Sequence, residues 1–368
     1  MDPLEQLSAI SQFYGVNPDY VIAGGGNTSY KNRETLWIKG SGVSLAEITP
    51  KGFVAMDRAK LAALWKLSNS ETAGTAEAAE REKVVLEGLM AARRPGEEKK
   101  RPSVETLLHD LLPFAYVVHT HPSMVNGLTC SQGAEAAAGK LFGADVVWIP
   151  ISDPGFALAD TVRKILAKRN APAFFFLQNH GVFVGADTPE EIKSLYEKIT
   201  LALNAQIKRR PDLGGTISVH TGPETEILQK LSGGPEGTIR FIRNNEITAL
   251  VKSRSAFSPV ASVFTPDHIV YAGSDPLFIE NGENIEEAWK AHIKKTGRPP
   301  KIAALEGVGI FGMGPSEKAA ALTLELFIDM VKVAVYAENF GGPRFMTPEK
   351  IAFINNWEAE QYRSNMAR

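Results

Sequence analysis

A single cysteine, Cys130, occurs in 368 residues, which excludes an internal disulfide framework and any zinc cluster built on several thiolates. Surplus charge is missing too. The formal net charge at pH 7 is −2, so the chain offers no basic field for nucleic acid or an anionic membrane surface. No apolar run reaches bilayer-spanning length, and MDPLEQLSAI opens acidic and mixed where a secretory leader would be basic and then apolar. These absences predict a cytoplasmic protein with neither nucleic-acid nor membrane partners. What remains is 44% apolar and 22% charged, ordinary globular material, and the chain is long enough to predict two domains or lobes.

Helical and extended patterns alternate along the first 208 residues. Helical periodicity covers 4–14, 56–68, 76–94, 103–112, 133–142 and 159–168. A helix of about 20 residues opens after DTPEEI and is closed by RRPD. Extended runs fall at 20–23, 35–39, 115–119, 146–150 and 173–178, and this alternation predicts an α/β protein. Ser44 and Glu47 have the capping-box spacing of a helix start.

A composition shift between RRPDLGG and LSGGPEGT, over 209–236, places the lobe boundary: a first domain at 1–208 and a second α/β lobe at 209–368. The second lobe reads as strands VASVF and HIVYA, a helix at 285–296, strand PKIAAL, then GVGIFGMGPSEK and a long apolar helix through Tyr336. A displacement of 128 residues lays His180-Gly181-Val182-Phe183 on Val308-Gly309-Ile310-Phe311 and Thr188 on Ser316. Either the second lobe is a degenerate repeat with Val in place of His, and therefore without metal, or it is an accessory or oligomerisation region that reuses a common α/β element.

Within VVHTHPSM, alternation along an extended strand points His119 and His121 to one face. His180 is the third candidate ligand, in a turn after the apolar strand AFFFLQ, because such strand ends line the ligand crevice of an α/β sheet. Three protein ligands with an open position suit a Lewis-acid zinc site. His109 lies on a helical pattern and reads as packing or capping, while His220, His268 and His292 lack paired spacing and read as structural or surface. Glu105, in RPSVETLLH, reads in two ways. It is a first-turn glutamate facing the helix dipole with Ser103 as cap, or a carboxylate that reaches the metal as ligand and base.

Two Gly/Ser turns, GGGNTS and KGSG, can bring backbone N–H groups to an anion, and Asn27, Thr28, Ser29 and Ser41 add side-chain donors. Beside a metal-type cluster they point to a phosphorylated small molecule. GVGIFGMG has the glycines of a dinucleotide loop but no acidic residue at a strand end about 20 residues on, and is set aside.

GGGNTSYK, IKGSG, RPSVETLLH, VVHTHP and NHGVFVGADTPEEI together resemble the class II aldolase/adducin family, in its order and at similar spacing over residues 20–200. With PDHIVYAGSDPLF, GVGIFGMGPSEKAAAL and NNWEAEQYR, the longer chain is most similar to the aldolase portion of bifunctional rhamnulose-1-phosphate aldolase/alcohol dehydrogenases. The resemblance implies a class II aldolase-like α/β/α fold and a metal-dependent cleavage of a ketose 1-phosphate, such as rhamnulose or fuculose 1-phosphate. It implies that His119, His121 and His180 bind Zn2+, with Mn2+ or Fe2+ as alternatives, and that Glu105 is the acid/base. It implies that Asn27, Ser41, Gly42 and Ser103 hold the phosphate, and that the protein is a homo-oligomer, by analogy a tetramer. Sugar-phosphate 4-epimerases and decarboxylases share the family; the epimerases usually carry Asp at the position of Glu105. Adducin-like members lose the histidines and act as scaffolds. In short family members a tail tyrosine assists proton transfer, for which Tyr271, Tyr336 and Tyr362 are the substitutes to consider.

Overall fold

Pro3 and the side chain of Asp2, which accepts from the Leu4 amide, start the first helix, α1 (Pro3–Gly15), and its buried face is Leu7, Ile10 and Tyr14. The computed structural model describes residues 2–66, 75–233 and 238–358. After α1 come the strands β1 (Asn27–Lys31), β2 (Thr35–Lys39) and β3 (Phe53–Asp57), then the helices α2 (Arg58–Leu64), α3 (Thr75–Ala91) and α4 (Thr106–Leu111). The order continues with β4 (Tyr116–Thr120), α5 (Ser123–Thr129), α6 (Ala134–Phe142), β5 (Val146–Ile149), α7 (Phe156–Leu166), β6 (Phe174–Leu177), β7 (Gly181–Ala186) and α8 (Pro189–Asn204). The remainder is α9 (Pro223–Leu231), β8 (Thr238–Ile242), α10 (Asn245–Leu250), α11 (Arg254–Phe257), β9 (Leu277–Ile279), α12 (Ile285–Thr296), β10 (Ile302–Leu305), β11 (Gly309–Gly314), α13 (Glu317–Ala337) and α14 (Pro348–Asn356). The chain divides into two compact units, Met1–Val125 with Ala134–Ala205 and Asn126–Gly133 with Gln206–Arg368.

The first unit holds a seven-stranded sheet in the order β3-β2-β1-β4-β7-β6-β5. Its pairs are antiparallel except β5–β6, whose parallel crossover contains α7. Central β4 is buried at all five positions. One sheet face meets α1 and α8: Ser11 Oγ lies 2.7 Å from Thr28 Oγ1, and Tyr196 Oη 2.7 Å from Thr120 Oγ1. The opposite face supplies Val117, Phe175, Leu177 and Phe183 to an apolar cluster with Leu61 of α2, Leu89 of α3, Leu107 of α4 and Val162 of α7. Burying each such side chain stabilises the fold by roughly 1.5–3 kcal/mol. Helix α8 begins with Thr188 accepting from the Glu191 amide while the Glu191 carboxylate accepts from the Thr188 amide, which satisfies two otherwise orphaned donors.

The second unit has a four-stranded sheet in the order β8-β11-β10-β9, with β9–β10 parallel and the other pairs antiparallel. This is the order and sense of β4-β7-β6-β5 in the first unit. The displacement of 128 residues carries β6 onto β10, β7 onto β11, and all four β6–β7 residue pairs onto the β10–β11 pairs. Thr188 and Ser316 both cap the helix that follows. Cys130 is fully buried in this unit, with Sγ 3.8 Å from the Phe264 carbonyl oxygen, and burial pushes the thiol pKa up.

Mixed α/β structure is present in both units, but several local readings differ. VASVF and HIVYA are not strands: the first opens on Val260, the last residue of a short 3-10 turn, and His268–Ala272 winds as a π-turn with all five residues buried. A short apolar run specifies burial without specifying pairing. Residues 20–23 are irregular, with turn at Tyr20 and Ala23, half of GGGNTS is strand β1, and Ser44 caps a single 3-10 turn. GVGIFGMG lies largely in strand β11. The end of the helix expected over 56–68 lies outside the described residues. Among the described residues, no helix is long and apolar enough to cross a membrane.

Candidate metal centre and its carboxylate

Strand β4 delivers His119 from the middle of the sheet, and the chain leaves the strand at His121, stopped by Pro122. The turn from β6 to β7 delivers His180. That turn closes because Asn179 takes a left-handed conformation, φ 57°, which Asn tolerates better than most residues. Two glycines let the strands crowd together here. A Cβ on Gly181 would lie 2.5 Å from the Thr120 carbonyl oxygen and 2.8 Å from His121 Cδ2, and a Cβ on Gly26, at φ +65°, would lie 2.7 Å from the His119 carbonyl oxygen.

The three imidazoles meet. His119 Nε2 is 3.0 Å from His121 Nε2 and 3.3 Å from His180 Nε2. His119 is fully buried, His180 is 8% exposed and His121 is half-buried, so the cluster has one open side. Phe183 stacks on the His119 ring, centroids 3.9 Å apart and planes 10° from parallel. His119 Nδ1 lies 2.9 Å from the Val182 carbonyl oxygen. A carbonyl only accepts, so Nδ1 carries the hydrogen and Nε2 presents its lone pair to the cluster, the arrangement of a metal-ligating histidine. Among the described residues this is the one His/Cys/Asp/Glu group of three or more that can hold a metal ion.

Glu105 stands beside it. Its Oε2 is 3.5 Å from His119 Nε2 and its Oε1 3.8 Å from His180 Nε2. Glu105 is at the N-cap of α4, where its side chain makes no capping bond and its amide donates to Ser103 Oγ. Instead Asn27 Nδ2 donates to Oε2 at 2.6 Å, while buried Oε1 has no hydrogen-bond partner. A carboxylate oxygen kept dry and unpartnered next to three ligand nitrogens is a group awaiting a cation or a proton. The donor set therefore fits a divalent metal.

The phosphate candidates lie on neighbouring loops. Ser103 Oγ accepts from the Glu105 amide at 3.2 Å, and the Ser41 amide donates to the Arg101 carbonyl at 2.7 Å, so the KGSG turn runs beside the segment leading to Glu105. Gly42 is exposed with φ +82°. Asn27 is 7% exposed, and its side chain is turned to Glu105 and His109. The sequence reading passed over two residues. Lys39 is 4% exposed and reaches the Gly24 carbonyl at 3.4 Å, placing an ammonium between the two Gly/Ser turns. His109, read as packing, contacts Asn27 and Ser29 through its two ring nitrogens. Its spacing of four from Glu105 was the available signal, since both then share a helix face. Burial, the His119 ring and Lys31 hold His109 well below the usual imidazole range. Tyr271 and Tyr336 are buried in the second unit, and Tyr362 lies outside the described residues.

Residues 5–207 match the family described as the Class II Aldolase and Adducin N-terminal domain. Over 99% of its length the chain is 22% identical to "Uncharacterized oxidoreductase YuxG" of Bacillus subtilis (strain 168), and it spans 58% of that relative. Among solved structures, it is 26% identical to the N-terminal class II aldolase domain of a conserved protein from Thermoplasma acidophilum, at a TM-score of 0.47 covering 56% of this chain and 94% of that one. An L-fuculose 1-phosphate aldolase matches at 20% identity and a TM-score of 0.39, covering 56% of this chain and 85% of that one.

Proposed function

The chain belongs to the class II aldolase and adducin family, and we propose that it is a metal-dependent carbon–carbon lyase that cleaves a ketose 1-phosphate, such as rhamnulose or fuculose 1-phosphate, to dihydroxyacetone phosphate and an aldehyde. One observation carries this reading: three histidine nitrogens converge beside a buried carboxylate whose Oε1 has no hydrogen-bond partner. A divalent ion held by His119, His121 and His180, zinc first and manganese or iron as alternatives, would act there as a Lewis acid and stabilise charge on the ketose oxygens.

The protein's own groups do the rest. Glu105 takes the C4 hydroxyl proton as the C3–C4 bond opens, and returns it to C3 of the three-carbon fragment. The C4 carbon leaves as the aldehyde, and the proton count closes. Ser41, Gly42 and Ser103 hold the phosphate, with Lys39 supplying positive charge, so that binding at the phosphate orients the reacting carbons.

Product analysis with phosphorylated ketoses tests this together with Glu105→Gln. Triose phosphate release by the wild type, and a variant that keeps its metal but loses turnover, are expected. An isomerised sugar of unchanged mass would point to a 4-epimerase, and carbon dioxide release to a decarboxylase. Protein purified without metal and inert after zinc or manganese addition would favour an adducin-like scaffold. Undiminished turnover in Glu105→Gln would remove Glu105 from the chemistry.

The second unit is proposed to be a degenerate copy of the sheet that carries the metal. Phe241 pairs with Phe311 as His119 pairs with Phe183, so Phe241 and Arg243 stand where His119 and His121 stand, and Val308 takes the place of His180. One metal per chain is the expected stoichiometry.

A further inference from the structure

Alternate residues of a strand share a face, and on β1 those residues are Asn27, Ser29 and Lys31. All three reach the same residue of α4. Ser29 Oγ is 2.7 Å from His109 Nδ1, His109 Nε2 contacts Asn27 Oδ1, and Lys31 Nζ donates to the His109 carbonyl at 2.7 Å. Asn27 Nδ2 then donates to Glu105 Oε2. The four side chains Asn27, Ser29, Lys31 and His109 are all at most 8% exposed.

The direction of this chain is determined at each step. Glu105, as the carboxylate, only accepts, so Asn27 must present its amide N–H to it and its carbonyl to His109. His109 Nε2 must then carry hydrogen. A neutral ring leaves Nδ1 with a lone pair, which Ser29 fills by donating its hydroxyl hydrogen. Reversing the amide would set its oxygen against the oxygen of Glu105.

We infer that Ser29, His109 and Asn27 form a one-way hydrogen-bond relay that positions Glu105, engaging Oε2 and leaving Oε1 without a hydrogen-bond partner while both oxygens stand beside the histidine cluster. His109 and Asn27 are positioning residues, and Asn27 acts on the carboxylate. The inference rests on the reading of Glu105 as acid/base, and it gives Asn27 and Ser29 of GGGNTSYK a part in carboxylate orientation.

The test combines kinetics with a readout independent of turnover. In metal-free wild-type protein, nitrogen-15 imidazole spectra should show His109 as the neutral Nε2–H form; the Nδ1–H form would overturn the relay whatever the activity. With a ketose 1-phosphate that the wild type cleaves, His109→Phe and Asn27→Ala should lower kcat by roughly 10–100-fold, the usual range for partners that orient a metal-site group, with KM unchanged. His109→Gln, which keeps an N–H for Asn27, should recover most of the loss. A raised KM with unchanged kcat in Asn27→Ala would mean that Asn27 holds the phosphate, and would overturn the proposal. Adding Asn27→Ala to Glu105→Gln should cause no further loss, since both act through one carboxylate; an additive loss would count against it. If Glu105→Gln alone retains full turnover, the acid/base reading fails, while the imidazole spectra still decide the hydrogen-bond direction. Should His109→Phe not fold, Asn27→Ala and the wild-type spectra carry the test.

Discussion

Replacing Gly181 by alanine tests whether the crowding of β4 against β7 builds the histidine cluster. The new Cβ would lie 2.5 Å from the Thr120 carbonyl oxygen and 2.8 Å from His121 Cδ2, where real Cβ atoms essentially never come within 3.0 Å. Backbone must therefore move by at least about 0.5 Å, which matches the ~0.5 Å tolerance of a working site. Overpacking of this kind costs about 1–3 kcal/mol. At about 2–4 °C per kcal/mol for a unit of this size, melting should fall by roughly 2–12 °C. The displaced His121 ring should weaken zinc binding by on the order of tenfold, within the range seen when support for a metal ligand is lost. Thermal melts of metal-free protein and zinc titration against a chromophoric chelator measure the two effects. Gly139→Ala is the control: in α6 it has nothing within 4 Å, so a Cβ there should stabilise by about 0.4–1 kcal/mol through the unfolded chain. Wild-type melting and zinc affinity in Gly181→Ala would refute the argument that the close approach is required.

His180→Ala should lose metal and turnover together, with bound metal falling from one per chain to a small fraction by elemental analysis; retained stoichiometric metal would remove His180 from the ligand set. Two buried groups should shape stability against pH in opposite senses. Burial lowers Lys31 to about 7, so between about 7 and its unfolded value near 10.5 the unfolded chain binds the extra proton and stability rises with pH. Burial raises Glu82 to about 7, against the amides of Phe156 and Ala157 that pull it down. From about 4.5 to 7 the folded chain therefore binds the extra proton and stability falls as pH rises. Each slope amounts to a few kcal/mol at about 1.36 kcal/mol per unit. Urea unfolding across pH 4.5–10 should show Lys31→Met flattening the upper limb and Glu82→Gln the lower, and unchanged limbs would contradict the assigned burial.

The parts of the site written in neighbouring residues could be read from the sequence. His119 and His121 share a face because a strand alternates, and His180 follows a strand into a glycine turn. The sequence displacement that laid His180 on Val308 also carries whole strand pairs, because β6-turn-β7 is a local hairpin whose register travels with its residues. What could not be read depends on partners far apart in the chain. Asn27 meets Glu105 across 78 residues and His109 across 82, so nothing near GGGNTSYK says that Asn27 and Ser29 meet α4. VASVF and HIVYA misled for a related reason: HIVYA is buried throughout and VASVF at Val260, Val263 and Phe264, but among the described residues neither pairs into a sheet.

Cys130 gives the second unit a silent reporter. Its sulfur is sealed from solvent and its proton held tightly, so a maleimide should ignore it until the surrounding structure opens. The native labelling rate then counts those openings without any engineered probe, and comparing it with and without zinc asks whether an ion bound in the first unit quiets the second.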